Sequence, residues 1–228
     1  MLLICSALEE EASIVDSIFK NIEPGISRFT DKLILGMGPQ VASTTIKNYI
    51  EKKGPPGLVV LFGYAGGLDP KLESGDVVVE ISSPKNNLPN FSDIYDRQCK
   101  VGSFFAQDAI ASTPEEKKKL FEITKCDAVD MESSSLTQVC ASYGISVIII
   151  KAISDTQTTR LPVDFSKFMQ EGGRVKLISL ILHIITHPWI IPGMLNLASA
   201  NKKCKDQLSF RLGILLPILA KSLNEPSN

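Results

Sequence analysis

Short apolar runs alternate with helix-compatible stretches along most of this 228-residue chain. Leu2 to Ala7, Leu33 to Leu35, Leu58 to Phe62, Val77 to Ile81, Val101 to Phe105 and Ile145 to Ile150 are dominated by apolar residues, many of them β-branched. The continuous runs among them predict strands buried on both faces of a parallel sheet. Between them, Glu9–Lys20, Gln40–Lys53, Ser112–Glu122 and the stretch from Met131-Glu132 to Gly144 read as helices. Ser112-Thr113-Pro114-Glu115-Glu116 is a helix start, with a hydroxyl cap, proline in the first turn and acids behind it. Its Lys117, Lys118 and Lys119 predict a solvent-facing side. The alternation implies an α/β fold: a single domain whose mixed, mainly parallel sheet is flanked by helices.

Glycine and proline punctuate this order. Pro24-Gly25 and Gly54-Pro55-Pro56-Gly57 mark turns, and Gly36-Met37-Gly38-Pro39 precedes a helix. A G-x-G in that place could cradle an anion on free N–H groups, but tight strand–helix packing explains it equally well. Gly63-Tyr64-Ala65-Gly66-Gly67 after a strand reads as a turn that lets a ligand or a neighbouring segment come close. Ser82–Gln98, rich in proline and asparagine, reads as a surface loop. Beyond Asp155 the pattern changes. Leu177–Ile185 is nearly all apolar and predicts a last core helix, which sets a boundary between a domain at 1–185 and a helical, apolar tail at 186–228. Trp189–Leu197 is apolar again, broken by Pro192 and Gly193, with Lys202, Lys203 and Lys205 after it. Neither apolar half reaches the roughly 18 uninterrupted residues a membrane span needs. The second half suits packing against the domain or an oligomer contact; a peripheral membrane contact is the alternative.

Composition adds mainly exclusions. A formal net charge of −1 with no basic stripe gives no electrostatic case for nucleic acid. The five cysteines are widely spaced with no C-x-x-C, which fits a reducing cytoplasm better than a disulfide scaffold. Two histidines leave little material for a triad or a metal site, and no cofactor is implied. MLLICSALEEEA lacks a basic leader and reads as a first strand, not a signal peptide.

The candidate chemistry lies in Val129–Asp155. Asp155 lies at the polar exit, Ser154-Asp155, of the strand that carries Ile145 and Val147–Ile150, and ligands in open α/β sheets bind at the carboxyl ends of such strands. Glu132 lies where the preceding helix begins. Each has a plain structural reading, a loop or cap carboxylate for Asp155 and a first-turn acid for Glu132. Together they form a candidate site at two adjacent openings of one α/β unit.

With these pieces in order, the chain resembles the purine nucleoside phosphorylase and nucleosidase superfamily. The resemblance rests on Ser6-Ala7-Leu8-Glu9-Glu10-Glu11, Gly36-Met37-Gly38, Phe62–Leu68 with Gly75-Asp76-Val77, Asp130-Met131-Glu132 and Ala152-Ile153-Ser154-Asp155. AGGLDPKLESGD, ASTPEEKKKL and Arg160-Leu161-Pro162 are similar to the hopanoid-associated phosphorylases. The triple-glutamate start is similar to the methylthioadenosine/S-adenosylhomocysteine nucleosidases. The resemblance implies cleavage of the N-glycosidic bond of a purine, most simply adenine, nucleoside, with adenosylhopane as one substrate carrying a bulky apolar 5′ group. Asp155 would assist the leaving purine at N7, beside Ser154. Glu132 would accept from the ribose hydroxyls, and Met131 would pack on the sugar. Ala65, Gly66, Ile110 and Ala111 would line the base site, with Phe105 as its aromatic. Glu11 would position or deprotonate an attacking water. A phosphorylase would instead hold inorganic phosphate, with Gly38 and Lys151 as candidate donors and Arg97 and Arg160 as further cations. The resemblance also implies a homo-oligomer acting on a small molecule in the cytoplasm, or at a membrane surface if the tail docks there.

Overall fold

A computed structural model describes residues 1–19, 29–83, 99–163, 165–168 and 177–223. The strands, in chain order, are β1 (Leu2–Ser6), β2 (Thr30–Ile34), β3 (Leu58–Gly67), β4 (Val77–Ser82), β5 (Cys99–Val101), β6 (Phe104–Ala106), β7 (Ala128–Asp130) and β8 (Ser146–Asp155). The helices are α1 (Glu9–Phe19), α2 (Pro39–Lys53), α3 (Pro114–Thr124), α4 (Ser133–Ser142), α5 (Leu177–Thr186) and α6 (Ile191–Ser222). The strands form one sheet with the order β2-β1-β3-β8-β4-β5, and β7 joins the far end of β3 and also pairs with β6. β2, β1, β3 and β8 run parallel, whereas β4 is antiparallel to β8 and β7 is antiparallel to β3. The mixed, mainly parallel sheet flanked by helices agrees with the apolar runs and with the alternation of elements.

Period-two alternation along the central strands feeds two cores. Leu2 and Ile4 of β1 and Val60 and Phe62 of β3 pack with Ile14 and Val15 of α1 on one face. Leu3, Cys5, Val59 and Leu61 pack with Ile46 of α2 and Leu136 of α4 on the other. Both faces of these strands are covered, which is why the runs carry no polar alternation.

Two features differ from the sequence reading. Gly63–Gly67 is not a turn but the second half of β3. A register shift between Ala65 and Gly66 kinks that half, and Gly66 and Gly67 pair with β7 while Gly66 still faces Asp155 of β8. The second difference concerns the helix that closes the first face. Cys204, Leu208, Leu212, Leu215, Leu216 and Leu219 of α6 are buried in the core with α1, β3 and β8. Of α5, expected to be the last core helix, the side chains at 177–178 and 180–182 lie outside those described, and Ile185 is exposed. The spacing of the α6 residues supplies a buried stripe at i, i+4, i+7, i+8 and i+11. The sequence reading, interrupted by the breaks around Pro188 and Pro192, allowed the tail to pack on the domain but did not locate this stripe. Trp189 and Leu195, near the start of α6, are exposed. Among the described residues no helix is long and apolar enough to cross a membrane.

Candidate active site

A cavity of about 180 Å³ opens where β3 kinks, between the ends of β7 and β8 and the start of α1. Its wall contains Glu11, Tyr64, Ala65, Gly66, Ile110, Ala111, Met131, Glu132, Ser154 and Asp155, with Ala7, Leu8, Met37, Ala109, Val129 and Asp130 completing it. Most of the residues singled out in the sequence thus meet in one place. Phe105 packs against the small apolar cluster of Leu68, Ala111 and Val129 and is not in the wall. Gly38 and Lys151 stand behind the wall, each in contact with Glu132. Arg160 is exposed and pairs with Glu115, while Arg97 lies outside the described residues.

Glu11 sits in the first turn of α1, but its side chain folds back over the end of β1. Ala7 N–H and Leu8 N–H donate to its Oε2, both at 3.0 Å, and Tyr64 N–H donates to Oε1 at 3.0 Å. The carboxylate therefore ties the β1–α1 turn to the kinked half of β3. A Cβ on Gly63 would lie 2.4 Å from Glu11 Oε1, so the glycine makes room for the acid. Burial raises the Glu11 pKa most; the Lys151 cation lowers it, Glu132 raises it, and the amides lower it, leaving about 7. At neutral pH such a carboxylate can take up and release a proton.

Glu132 precedes the first residue of α4. Gly38 N–H donates to its Oε1 at 3.1 Å, and Lys151 Nζ donates to its Oε2 at 3.1 Å. Lys151, from the middle of β8, also contacts Asp130 Oδ2 at 2.5 Å. Asp130 in turn accepts from the hydroxyl of Ser133 at 2.6 Å, at the start of α4. Burial opposes the Lys151 cation, but Asp130, Glu132 and Glu11 outweigh it and hold its pKa above the ordinary lysine value. Lys151 is thus a charged group committed to its own carboxylates.

Asp155 closes β8, with both carboxylate oxygens occupied. Oδ1 accepts from Ser154 Oγ at 2.6 Å, and Oδ2 faces the ammonium of Lys117 in a buried ion pair. This corrects the sequence reading of α3: Lys117 is fully buried, whereas Lys118 and Lys119 are exposed. The signal was present in the spacing, because Lys117, Leu120, Phe121 and Thr124 fall at i, i+3, i+4 and i+7, one helix face. Asp130, also absent from the sequence-derived set, carries its signal in the Asp-x-x-Ser spacing to Ser133. The cap of α3 is as expected, with Thr113 Oγ1 accepting from Glu116 N–H at 3.2 Å.

Comparison with known proteins finds similarity over part of the chain and over the fold. The Phosphorylase superfamily model matches residues 90–186. A 5′-methylthioadenosine/S-adenosylhomocysteine nucleosidase of Staphylococcus aureus (strain bovine RF122 / ET3-1) is 21% identical over 217 residues, spanning 76% of this chain and 94% of its own. The nucleosidase of that name from Shewanella halifaxensis (strain HAW-EB4) is 24% identical over 177 residues, spanning 64% and 76%. Among solved structures, the 5′-methylthioadenosine/S-adenosylhomocysteine nucleosidase from S. pneumoniae with the transition-state inhibitor MT-ImmA shares the fold at a TM-score of 0.62 and 17% identity, over 76% of this chain and 93% of that one. Futalosine hydrolase of Helicobacter pylori does so at a TM-score of 0.60 and 16% identity, over 94% and 97%.

Proposed function

We propose that this chain, whose sequence and fold agree with the nucleoside phosphorylase/nucleosidase superfamily, hydrolyses the N-glycosidic bond of an adenine nucleoside. Breaking this bond builds positive charge on the ribosyl ring and negative charge on the purine, by analogy with glycoside hydrolysis. The cavity wall has a carboxylate for each demand. Glu132 accepts from the ribose 2′- and 3′-hydroxyls and brings negative charge to the cationic ring. Asp155 takes up a proton from solvent on Oδ1 when Ser154 Oγ donates instead to the Ala65 carbonyl at 3.2 Å, and passes it to purine N7 as the C1′–N9 bonding pair moves into the base. Glu11 takes a proton from water as its oxygen attacks C1′; Glu11 then returns that proton to solvent, and Asp155 regains one.

The observation that carries hydrolysis over phosphorolysis is the state of Lys151, buried and bound to both Asp130 and Glu132. A phosphate nucleophile needs N–H or cationic groups directed at it. At this site Gly38 N–H, behind the wall, is given to Glu132 and Tyr64 N–H, in the wall, to Glu11, so these donors already serve carboxylates. Water needs only a base, and Glu11 supplies one. The test is adenine release from adenosine, methylthioadenosine, S-adenosylhomocysteine and an adenosine bearing a long alkyl group at C5′, with and without inorganic phosphate. Free ribose-type sugar at a phosphate-independent rate is expected; a sugar 1-phosphate product would refute it.

The relatives favour methylthioadenosine and S-adenosylhomocysteine as first substrates, because their names state that activity. The loop that would cover the 5′ side, Ser82–Gln98, lies outside the described residues from position 84 onward. The alkyl-substituted nucleoside therefore decides whether the 5′ pocket admits a bulky apolar group such as that of adenosylhopane. Nucleoside binding without release of adenine from any of the four would instead identify a binding module.

A further inference from the structure

Lys117 is wholly buried in α3 and is in contact with neither Glu11 nor Glu132. Burying an ammonium is costly unless its donors are satisfied. Here its three donors have three acceptors: Asp155 Oδ2, the carbonyl of Thr156 at 3.0 Å and the carbonyl of Thr159 at 3.0 Å. These acceptors belong to the end of β8 and the turn behind it, so one side chain fastens that turn and the carboxylate to α3. Packing alone would be served by an apolar residue beside Leu120 and Phe121, which border the small cluster next to the cavity. A cation at this place acts on charge as well as on shape. It meets the carboxylate from behind, while Ser154 holds the other oxygen and Asp155 stays in the cavity wall.

Resting on the reading that Asp155 serves the departing purine, we propose that Lys117 is a positioning residue for leaving-group departure. It fixes the direction of the Asp155 carboxylate. It also stabilises the anion left there when the proton passes to N7 and the C1′–N9 pair moves into the purine. Lys117 itself exchanges no proton with the substrate. Its whole effect passes through Asp155, which separates this role from that of a general structural clamp.

The experiment compares wild type, Lys117→Met, Lys117→Gln, Asp155→Asn and the Lys117→Met/Asp155→Asn double variant on two substrates. One is the adenine nucleoside the enzyme cleaves best. The other is 4-nitrophenyl β-D-ribofuranoside, whose leaving group departs as a stable anion without a proton. On the purine nucleoside, Lys117→Met and Lys117→Gln should lower kcat about 100-fold, the low end of what acid catalysis supplies, with KM changed only a few-fold. On the nitrophenyl riboside the loss should be under about 5-fold, which also shows that the variants are folded. The double variant should be no slower on the purine nucleoside than Asp155→Asn, the non-additivity expected of two residues acting as one unit. Equal losses on the two substrates, multiplying losses in the double variant, or failure of both Lys117 variants to fold would each overturn the proposal. An Asp155→Asn variant with no purine-selective loss would instead refute the role of Asp155 beneath it.

Discussion

Replacing Glu11 with glutamine should change activity and stability in opposite directions along the pH scale. The carboxylic acid has an ordinary pKa of 4.5 and about 7 in the folded protein, where burial is the largest influence. A raised carboxylate pKa means that the folded state holds the proton more tightly than the unfolded chain does. Stability is therefore unpenalised below about 4.5, falls as pH rises through the window from 4.5 to 7, and stays lower above it. At 1.36 kcal/mol per unit, this shift corresponds to roughly 3 kcal/mol at pH 8. That is a large part of the 5–15 kcal/mol a domain of ordinary stability has. Catalysis responds the other way. If Glu11 must be ionised to accept a proton from water, kcat/KM rises through pH 7 and levels off above it.

Two assays read these trends: urea denaturation across pH 5–8, and initial rates of adenine release over the same range. Glu11→Gln should flatten both profiles, losing the decline in stability and the rise in rate together. Its activity should fall by roughly 10²- to 10⁴-fold, the range for a general base. Glutamine keeps one oxygen for Ala7 and Leu8 N–H but turns an N–H group toward Tyr64 N–H, so part of the stability gained above pH 7 is returned. An unaltered limb near pH 7 in the glutamine variant, or a wild-type limb near the ordinary glutamate value, would refute the assignment.

Three further outcomes follow from the same geometry. Lys151→Met leaves the Asp130 and Glu132 carboxylates buried without their cation and should cost about 3–5 kcal/mol, measured by urea denaturation. Gly63→Ala places a Cβ 2.4 Å from Glu11 Oε1, so kcat should drop at least tenfold at unchanged pH in steady-state assays, because that carboxylate must move. Leu212→Ala, in the buried stripe of α6, should destabilise by about 2–5 kcal/mol in a thermal or urea melt, whereas alanine at the exposed Leu195 should change stability by under about 0.5 kcal/mol.

The parallel core was legible because a strand covered on both faces carries a run with no polar interruption, and Leu58–Phe62 and Val147–Ile150 are such runs. The candidate site was legible at Asp155 and Glu132 from the element ends that carry them, and at Glu11 through the resemblance of the triple-glutamate start. Lys117 was not, because it stands among three consecutive lysines and only one of them turns inward. The choice is made by tertiary partners, Asp155 and two carbonyls that come from residues 38 to 42 positions further along the chain. The buried stripe of the closing helix was not located for a similar reason. Charge between Lys202 and Asp206 dilutes the apolar signal of α6, and the prolines before it break the pattern, yet contact with α1 and β8 falls to Cys204–Ala220.

The glycines of β3 show how such tertiary demands change the meaning of a motif. Read alone, Gly63–Gly67 offers backbone for a phosphate. In the folded chain Gly63 pairs in register with Lys151 and Gly66 with Asp155, the positions of β8 that carry the buried ion pairs with Asp130, Glu132 and Lys117. A Cβ at Gly63 would strike Glu11, and one at Gly66 would lie 3.2 Å from Val129 and 3.4 Å from Asp155 Oδ2. The missing side chains thus make room for the protein's own carboxylates. Glu11, Asp130, Glu132 and Asp155 are four acids in one wall, and the two lysines behind it are paired to them. With Asp155 protonated for the departing purine, the two lysines balance Asp130 and Glu132, and ionised Glu11 leaves one negative charge that an anionic nucleophile meets; in a buried site such repulsion is little screened by salt. A neutral water meets no such opposition, while a ribosyl ring that becomes cationic as the purine leaves is attracted by the same wall. Electrostatics that disfavour phosphate therefore favour the transition state of hydrolysis.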